Sequence, residues 1–459
     1  MAGMVWAGDW PGKSKRAALT GKSAGGDNIS ARPNRQNGRF GGDAGLATMA
    51  LAAAAVAAGG FPLVGSVASL CTGAAGLTAF VLVLSGKLPL FQHPAMRLLS
   101  AVIIVYVAAG FVSYALHPQD HANLEQALMR CAFLWFLPLA SLFASLSART
   151  LLETIETGAA AGAMATLAYV GFELLVLRHG RAWGGAGNPG PFATVLAVQF
   201  SLCILALFRD GERNRLLFAA GALAAVLCIL ASGMRTVLPV LLLVPAIELI
   251  NSWRPWRVET RTVSSIQPAG GKRLIWFVLL LLLAVAAVAA SDRVWNLQHE
   301  FNQAMQGQLA GNSLGQRMAI WQFAVERLPE NWLAGMGQDT AVADLQTYTA
   351  SSFDRSLHTT HLHNILLTAL FRGGVVDFAA TLMFLFAPLV VIIRHRAFNG
   401  EGMRLFVYLW LVYFLMAMTN LAFGHDVLDH HFIAMLAAAS AIAYRPLQET
   451  DAKETVSHE

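Results

Sequence analysis

The chain has 459 residues, of which 56% are hydrophobic and 13% charged, with a mean hydropathy of +0.54. Soluble domains carry about 25% charged residues, so a water-soluble globule is excluded. The net charge of +5 and the pI of 9.2 do not point to nucleic acid, because no basic patch interleaves with aromatics.

Residues 1–44 are polar, basic and rich in Gly, Ser and Asn. They lack the apolar core of a secretory signal and read as a disordered cytoplasmic tail. Apolar runs long enough to cross a bilayer as helices then recur. They are expected at 46–65, 67–86, 97–116, 126–146, 158–177, 190–208, 215–232, 236–251, 273–290, 374–393, 405–424 and 430–445. None alternates as barrel strands do, so the predicted fold is all-α and polytopic, with about twelve transmembrane helices. Helices 1–9 fall within 45–290 and helices 10–12 within 362–445, and a second cytoplasmic tail covers 446–459. Lys and Arg favour cytoplasmic loops. The most basic short loops hold Arg209, Arg213 and Arg215; then Arg254, Arg257, Arg261, Lys272 and Arg273; then Arg394, Arg396 and Arg404. With the N-terminus inside, all three loops land in the cytoplasm. Cys71, Cys131, Cys203 and Cys228 lie in or beside spans, which gives neither a disulfide framework nor a CxxC metal site.

One long loop, 291–361, falls on the opposite side of the membrane, between helices 9 and 10. Within it Ile320, Trp321, Ala324, Val325 and Leu328 form an apolar stripe that predicts an amphipathic helix over 318–328. Pro329 ends it, and Gly335-Met336-Gly337 marks a turn. Arg317 lies one helical turn before Trp321, so both can reach one site.

Three groups on that outer side could carry chemistry: Arg235 after Gly233-Met234, Arg317, and the run His361-Leu362-His363-Asn364. Guanidinium groups suit bidentate recognition of phosphate. A neutral histidine can take a proton from a sugar hydroxyl. Together they fit a glycosyl-transfer site fed by a lipid pyrophosphate. Each has a plainer use as well: Arg235 can snorkel to headgroups, Arg317 can be a solvated helix residue, and His363 an interfacial one. Asn364 can cap the next helix. A second cluster, His425, Asp426, Asp429, His430 and His431, has the residue types of a zinc site without a known spacing; a polar loop is its simpler reading. Arg181, Trp183 and Gly184 up to Asn188-Pro189-Gly190 open the sixth span or shape a cleft there.

His363-Asn364, nine residues and then Gly374 resembles the motif of the O-antigen ligase and O-antigen polymerase-related family. Gly233-Met234-Arg235 is similar to its small-residue–Arg step, and Asn188-Pro189 to its earlier turn. Ser313 to Arg317, Trp321, and Pro329 to Gly335-Met336-Gly337 resemble its loop pattern. The chain departs from the family at Asp377, usually small or aromatic, and at Met234, often Ser. The resemblance implies about twelve helices with a large periplasmic loop, in a bacterial inner membrane. It implies a metal-independent, inverting transfer of glycan from undecaprenyl pyrophosphate to an acceptor, lipid A–core in the ligase reading and a growing glycan in the polymerase reading. It further implies no cofactor, Arg235 and Arg317 on the pyrophosphate, and His363 as catalytic base. Asn364, His361, Trp321, Gly374 and Asn188 are supporting residues. A protein O-oligosaccharyltransferase uses the same donor chemistry. A transporter, the reading from a different class, would place ionisable groups at mid-membrane.

Overall fold

The computed structural model of the protein describes residues 44–209, 214–253, 299–303, 306, 313–353, 359–395 and 400–444. The expectations for the N-terminal tail, the ninth span at 273–290, the basic loop from Arg254 to Arg273 and the C-terminal tail lie outside the described residues. In chain order the helices are α1 Ala44–Gly59, α2 Ser66–Leu84, α3 Pro94–Leu116, α4 His121–Phe143 (with a 3-10 turn at Cys131–Trp135), α5 Ala148–Leu175, α6 Pro189–Phe208 and α7 Arg215–Ser232. They continue with α8 Leu238–Trp253, α9 Ser313–Asn331, α10 Gln338–Phe353, α11 Ile365–Arg394, α12 Gly400–Thr419 and α13 Asp426–Ala443. No strand occurs among the described residues. Nine of these helices are long and apolar enough to cross a membrane, and α1 and α8 are shorter apolar helices. Every expected span except the ninth therefore coincides with a helix. The protein is an all-α polytopic membrane protein.

Helix α6 is the axis of the bundle. Asn188 caps it, Pro189 opens it at a position that needs no backbone donor, and every residue from Gly190 to Phe208 is buried. Helices α5, α7, α8, α12 and α13 pack around it. The outer helices keep apolar faces exposed, as Leu70 and Leu84 on α2 and Leu175 on α5 show. Such faces suit lipid, which needs no polar cover. Where lipid supplies no hydrophobic drive between helices, small residues bring backbones together. Between α1 and α5, a Cβ on Gly162 would stand 2.3 Å from the Gly59 carbonyl oxygen.

Several charged residues inside the bundle are paired. Asp377 accepts from Arg130 at 2.6 Å and from Arg372 at 2.7 Å, and Arg404 donates to Glu248 at 2.6 Å. Arg209 lies 2.8 Å from Glu156. Arg130 also lies over the Tyr106 ring, 4.1 Å from its centre. An isolated charge at that depth would be costly, and mutual pairing offsets the cost. At Asp377, where the family resemblance led us to expect a small or aromatic side chain, the carboxylate serves two buried arginines.

The loop folds as two helices. The expected amphipathic helix is longer than its stripe: α9 runs Ser313–Asn331 and carries Pro329 in its last turn. A proline there removes one terminal hydrogen bond, which shortens a helix less than one in its middle. Ala319, Ile320, Phe323 and Ala324 of α9 pack with Ala341, Leu345 and Tyr348 of α10 over Leu362 and Phe371. Helix α10 went unread in the sequence, although Ala341, Leu345 and Tyr348 repeat at helical spacing. The Gly335–Gly337 turn then seats against a break in α11. Met336 N donates to Phe371 O at 2.7 Å, and Val375 N donates to Leu333 O at 3.2 Å. Next to it, Asp120 and Asp339 cap each other's helices: Asp339 N donates to Asp120 Oδ2 at 2.8 Å, and Ala122 N to Asp339 Oδ2 at 3.1 Å.

Gly374 makes the break possible, with φ +65 and no room for a side chain, since a Cβ would stand 2.1 Å from Leu333 O. Gly374→Ala is expected to lose more than the about 1–3 kcal/mol of backbone strain alone, and to undock the loop. The checks are thermal unfolding in detergent and limited proteolysis between residues 313 and 353. A wild-type melting temperature with a wild-type cleavage pattern would show that the loop does not depend on this break.

Candidate active site

The site gathers at the end of the bundle where the loop docks. Gly233 closes α7 in the left-handed conformation, and Arg235 follows in the turn before α8. Arg235 stands outside that helix, which starts three residues later, at Leu238. The freer backbone lets the guanidinium face across the site. There Nη1 donates to Glu300 Oε2 at 3.0 Å and Nη2 to Glu300 Oε1 at 2.7 Å.

Arg317 is half-buried in the second turn of α9. Burial lowers its pKa first, and the like charge of Arg235 lowers it further, while Glu300 pulls the other way. Arg235, Arg317 and Glu300 thus form one charge cluster.

The His361–Asn364 run is fixed by its alternation. Leu362 turns into the small core under α9 and α10 and is buried. His361 and His363 face the other way together, their ring centres 4.7 Å apart. His363 holds a left-handed backbone at φ +49, a conformation uncommon for a residue with a side chain. Asn364 then caps α11, accepting from Leu366 N at 2.9 Å and Leu367 N at 3.1 Å. Its amide also donates to Met418 O at 3.2 Å. The cap and the Met418 bond together hold Asn364 in place.

The end of α12 ties these parts together. Thr419 donates to Thr236, next to Arg235, at 2.9 Å. Asn420 Oδ1 accepts from His361 Nε2 at 2.6 Å. Its amide nitrogen and Asn188 Oδ1 both flank Gly190, so the cap of α6 borders the same site. The sequence reading missed Asn420 and Glu300; single polar residues in a connection carry no local signal of a long-range partner.

His363 is held neutral. Burial lowers its pKa to about 4, with His361 and then Arg317 adding to the depression and Asn420 opposing it. His361 is lowered too, chiefly by burial. A buried His363 Nδ1 has no hydrogen-bond partner among the described residues. The site therefore offers a proton acceptor and two cations in one electrostatic neighbourhood, with the Asn420 amide beside them.

The other sequence candidates fall elsewhere. Trp321 stands 40% exposed, one turn beyond Arg317, on the face of α9 away from the small core. Gly374 acts through the loop and not at the site. The His425–His431 cluster disperses: Asp429 caps back onto Gly424 N, His431 turns inward to Tyr413 at 2.9 Å, and His430 bonds the Asp426 carbonyl. Among the described residues no three His, Cys, Asp or Glu side chains converge as metal ligands would. Arg181 holds the Ser232 carbonyl at 2.9 Å, bracing the turn that precedes Arg235.

Residues 219–382 match the family model described as O-antigen ligase. The match includes Arg235, Glu300, Arg317, His361, His363, Asn364 and Gly374, and leaves Asn188 and Asn420 outside. No curated protein matches the chain.

The charge coupling is open to measurement. Neutral imidazole reacts with diethyl pyrocarbonate, so His363 modification in the purified protein should lose half its rate only near the pKa of about 4. Arg317→Gln removes a neighbouring cation and should move that midpoint upward, with His363→Ala as the blank. A midpoint at the ordinary 6.5 in both proteins would mean that His363 is solvated and apart from Arg317.

Proposed function

We propose an O-antigen ligase, for a chain of which residues 219–382 match the family model of that description. It would move glycan from undecaprenyl pyrophosphate to lipid A–core, in the bacterial inner membrane, with its site on the periplasmic face. The observation that carries this reading is the convergence of Arg235, Arg317 and His363, which lie 128 or fewer residues apart in sequence yet share one electrostatic neighbourhood.

On this reading each group has a task. Arg235 presents two parallel N–H donors, the arrangement that grips a phosphate bidentately. Arg317 supplies a second cation beside it. His363, kept neutral, takes the proton of the acceptor hydroxyl as that oxygen attacks the anomeric carbon. The new bond forms from the acceptor oxygen to the anomeric carbon. The bond from that carbon to the phosphate oxygen breaks, and its electron pair leaves with the pyrophosphate. One displacement of this kind inverts the anomeric centre. The arginines stabilise the charge that develops on the leaving group, and as fixed cations they reorganise little during the step. No nucleotide sugar exists outside the cytoplasm, so a donor carried on lipid suits a site at that face.

The donor also strengthens the base. Arg317 contributes to the depression of the His363 pKa. A pyrophosphate bound there offsets that positive charge and raises the pKa toward the working pH, where a general base is most effective. The acidic limb of kcat/KM reports the free enzyme and should lie near 4, whereas the limb of kcat reports the complex and should lie higher. Coincident limbs at 6.5 would remove His363 from this role.

Arg235→Ala, Arg317→Ala and His363→Ala should each abolish most product while the protein still inserts. Analysis of lipopolysaccharide from a deletion strain tests the acceptor. Core without O-antigen, together with long glycan accumulating on the lipid carrier, means ligase. Core bearing a single repeat unit means polymerase, and unchanged lipopolysaccharide rejects both.

A further inference from the structure

Glu300 meets Arg235 directly. It binds Arg235 with both oxygens, in the manner expected of a phosphate, and its charge is felt at Arg317. The pair is not sealed: the Arg235 side chain is 31% exposed and that of Glu300 18%. Breaking a fully buried pair strands a charge at high cost, whereas a pair open to solvent exchanges partners readily. A ligand with phosphate oxygens can therefore replace the carboxylate on Arg235.

We propose that Glu300 is a built-in competitor for the pyrophosphate, which holds Arg235 in the empty site, yields it to the incoming donor and retakes it as the spent lipid pyrophosphate leaves. This rests on the donor reading given above. The reason such a device is needed lies in the charge balance. Transfer leaves the electron pair of the broken carbon–oxygen bond on the phosphate, while the hydroxyl proton goes to His363. The pyrophosphate then carries one more negative charge than it did in the donor. Two arginines alone would hold this product more tightly than the substrate, and the site would clog. A carboxylate tethered beside them repels the more highly charged product more strongly than the donor. It also reoccupies Arg235 as the product loosens. In enzymes whose turnover is limited by product release, weakening the product in this way raises kcat.

The test uses the full-length protein in detergent, with farnesyl pyrophosphate as the binding probe. Glu300→Gln keeps the side chain's size and removes its charge. If Glu300 occupies Arg235 for about nine-tenths of the time, this substitution should tighten binding roughly tenfold and slow dissociation. Glu300→Asp keeps the charge on a shorter arm and should fall between, and it carries the test should the Gln variant fold poorly. With lipid-linked glycan as donor below saturation, a single turnover should proceed faster in Glu300→Gln than in the wild type, since the donor no longer has to displace the carboxylate. Steady-state turnover should fall, with stronger inhibition by lipid pyrophosphate. Unchanged or weaker probe binding in both variants would overturn the proposal and leave Glu300 as a strut for Arg235. If Arg235→Ala and Arg317→Ala bind the probe as the wild type does, the donor reading itself fails, an outcome separate from any result at Glu300.

Discussion

Halfway along the end of α11 that faces the loop, Gly374 takes a left-handed backbone and the Leu333 carbonyl fills the space beside it. A continuous helix would satisfy its own donors there. The break instead releases backbone groups that Leu333 and Met336 use to dock the loop. Just beyond the break, Asp377 accepts from Arg372 on one side and Arg130 on the other, which fastens the broken turn to α4. Asn123 completes the seam: its amide donates to the Ser113 and Arg372 carbonyls, and its oxygen accepts from Gln338 N. Charge pairing at this depth contributes little net stability, because desolvation consumes most of the attraction. What it supplies is a fixed register between the loop and the bundle.

That register decides where the functional side chains stand. Leu362 is buried in the core that α9 and α10 make with Phe371. Its burial turns both flanking histidines toward α12, where Asn420 and the Met418 carbonyl receive them and Asn364. The same helix end holds the start of α8 through Thr419 and Thr236, and so positions Arg235. Groups meant to stabilise a charged transition state act best when neighbouring packing and hydrogen bonds already hold them in place. Here the fixing residues are mostly ordinary caps and turns, and the candidate reacting groups inherit their geometry.

Helix positions were legible in the sequence because their signals are local, and so were the candidates Arg235, Arg317 and His363, which the fold brings into one electrostatic neighbourhood. An apolar run, a Gly-Met-Arg step and a His-x-His-Asn string can each be seen within a few residues. Asn364 is a cap in the sequence and a cap in the structure. The boundaries were less legible: α5 begins at Ala148, ten residues before the expected span, because Glu153 and Glu156 interrupt the hydropathy without interrupting the helix. The partners were not legible at all. Asp377 and Arg130 are separated by 247 residues, and Arg235 and Glu300 by 65. Pairing at such distances is written in the fold and not in any short window, which is why Asp377 looked like an oddity of sequence.

Under the proposed function, the electrostatics would impose an order on events at the site. In the empty protein the excess positive charge around Arg317 disfavours a second cation, and His363 stays unprotonated. Its resting weakness as a base is a consequence of the cations that would bind the donor. Filling the site with an anion removes part of that penalty, so base strength rises when there is a leaving group to be displaced. Burial, the larger cause of the depression, remains throughout and keeps the imidazole from taking its proton from bulk water. A hydroxyl brought to His363 after the pyrophosphate therefore meets a stronger base than one arriving before it. On the proposed function, donor binding and acceptor activation would be linked through the charge they share at Arg317.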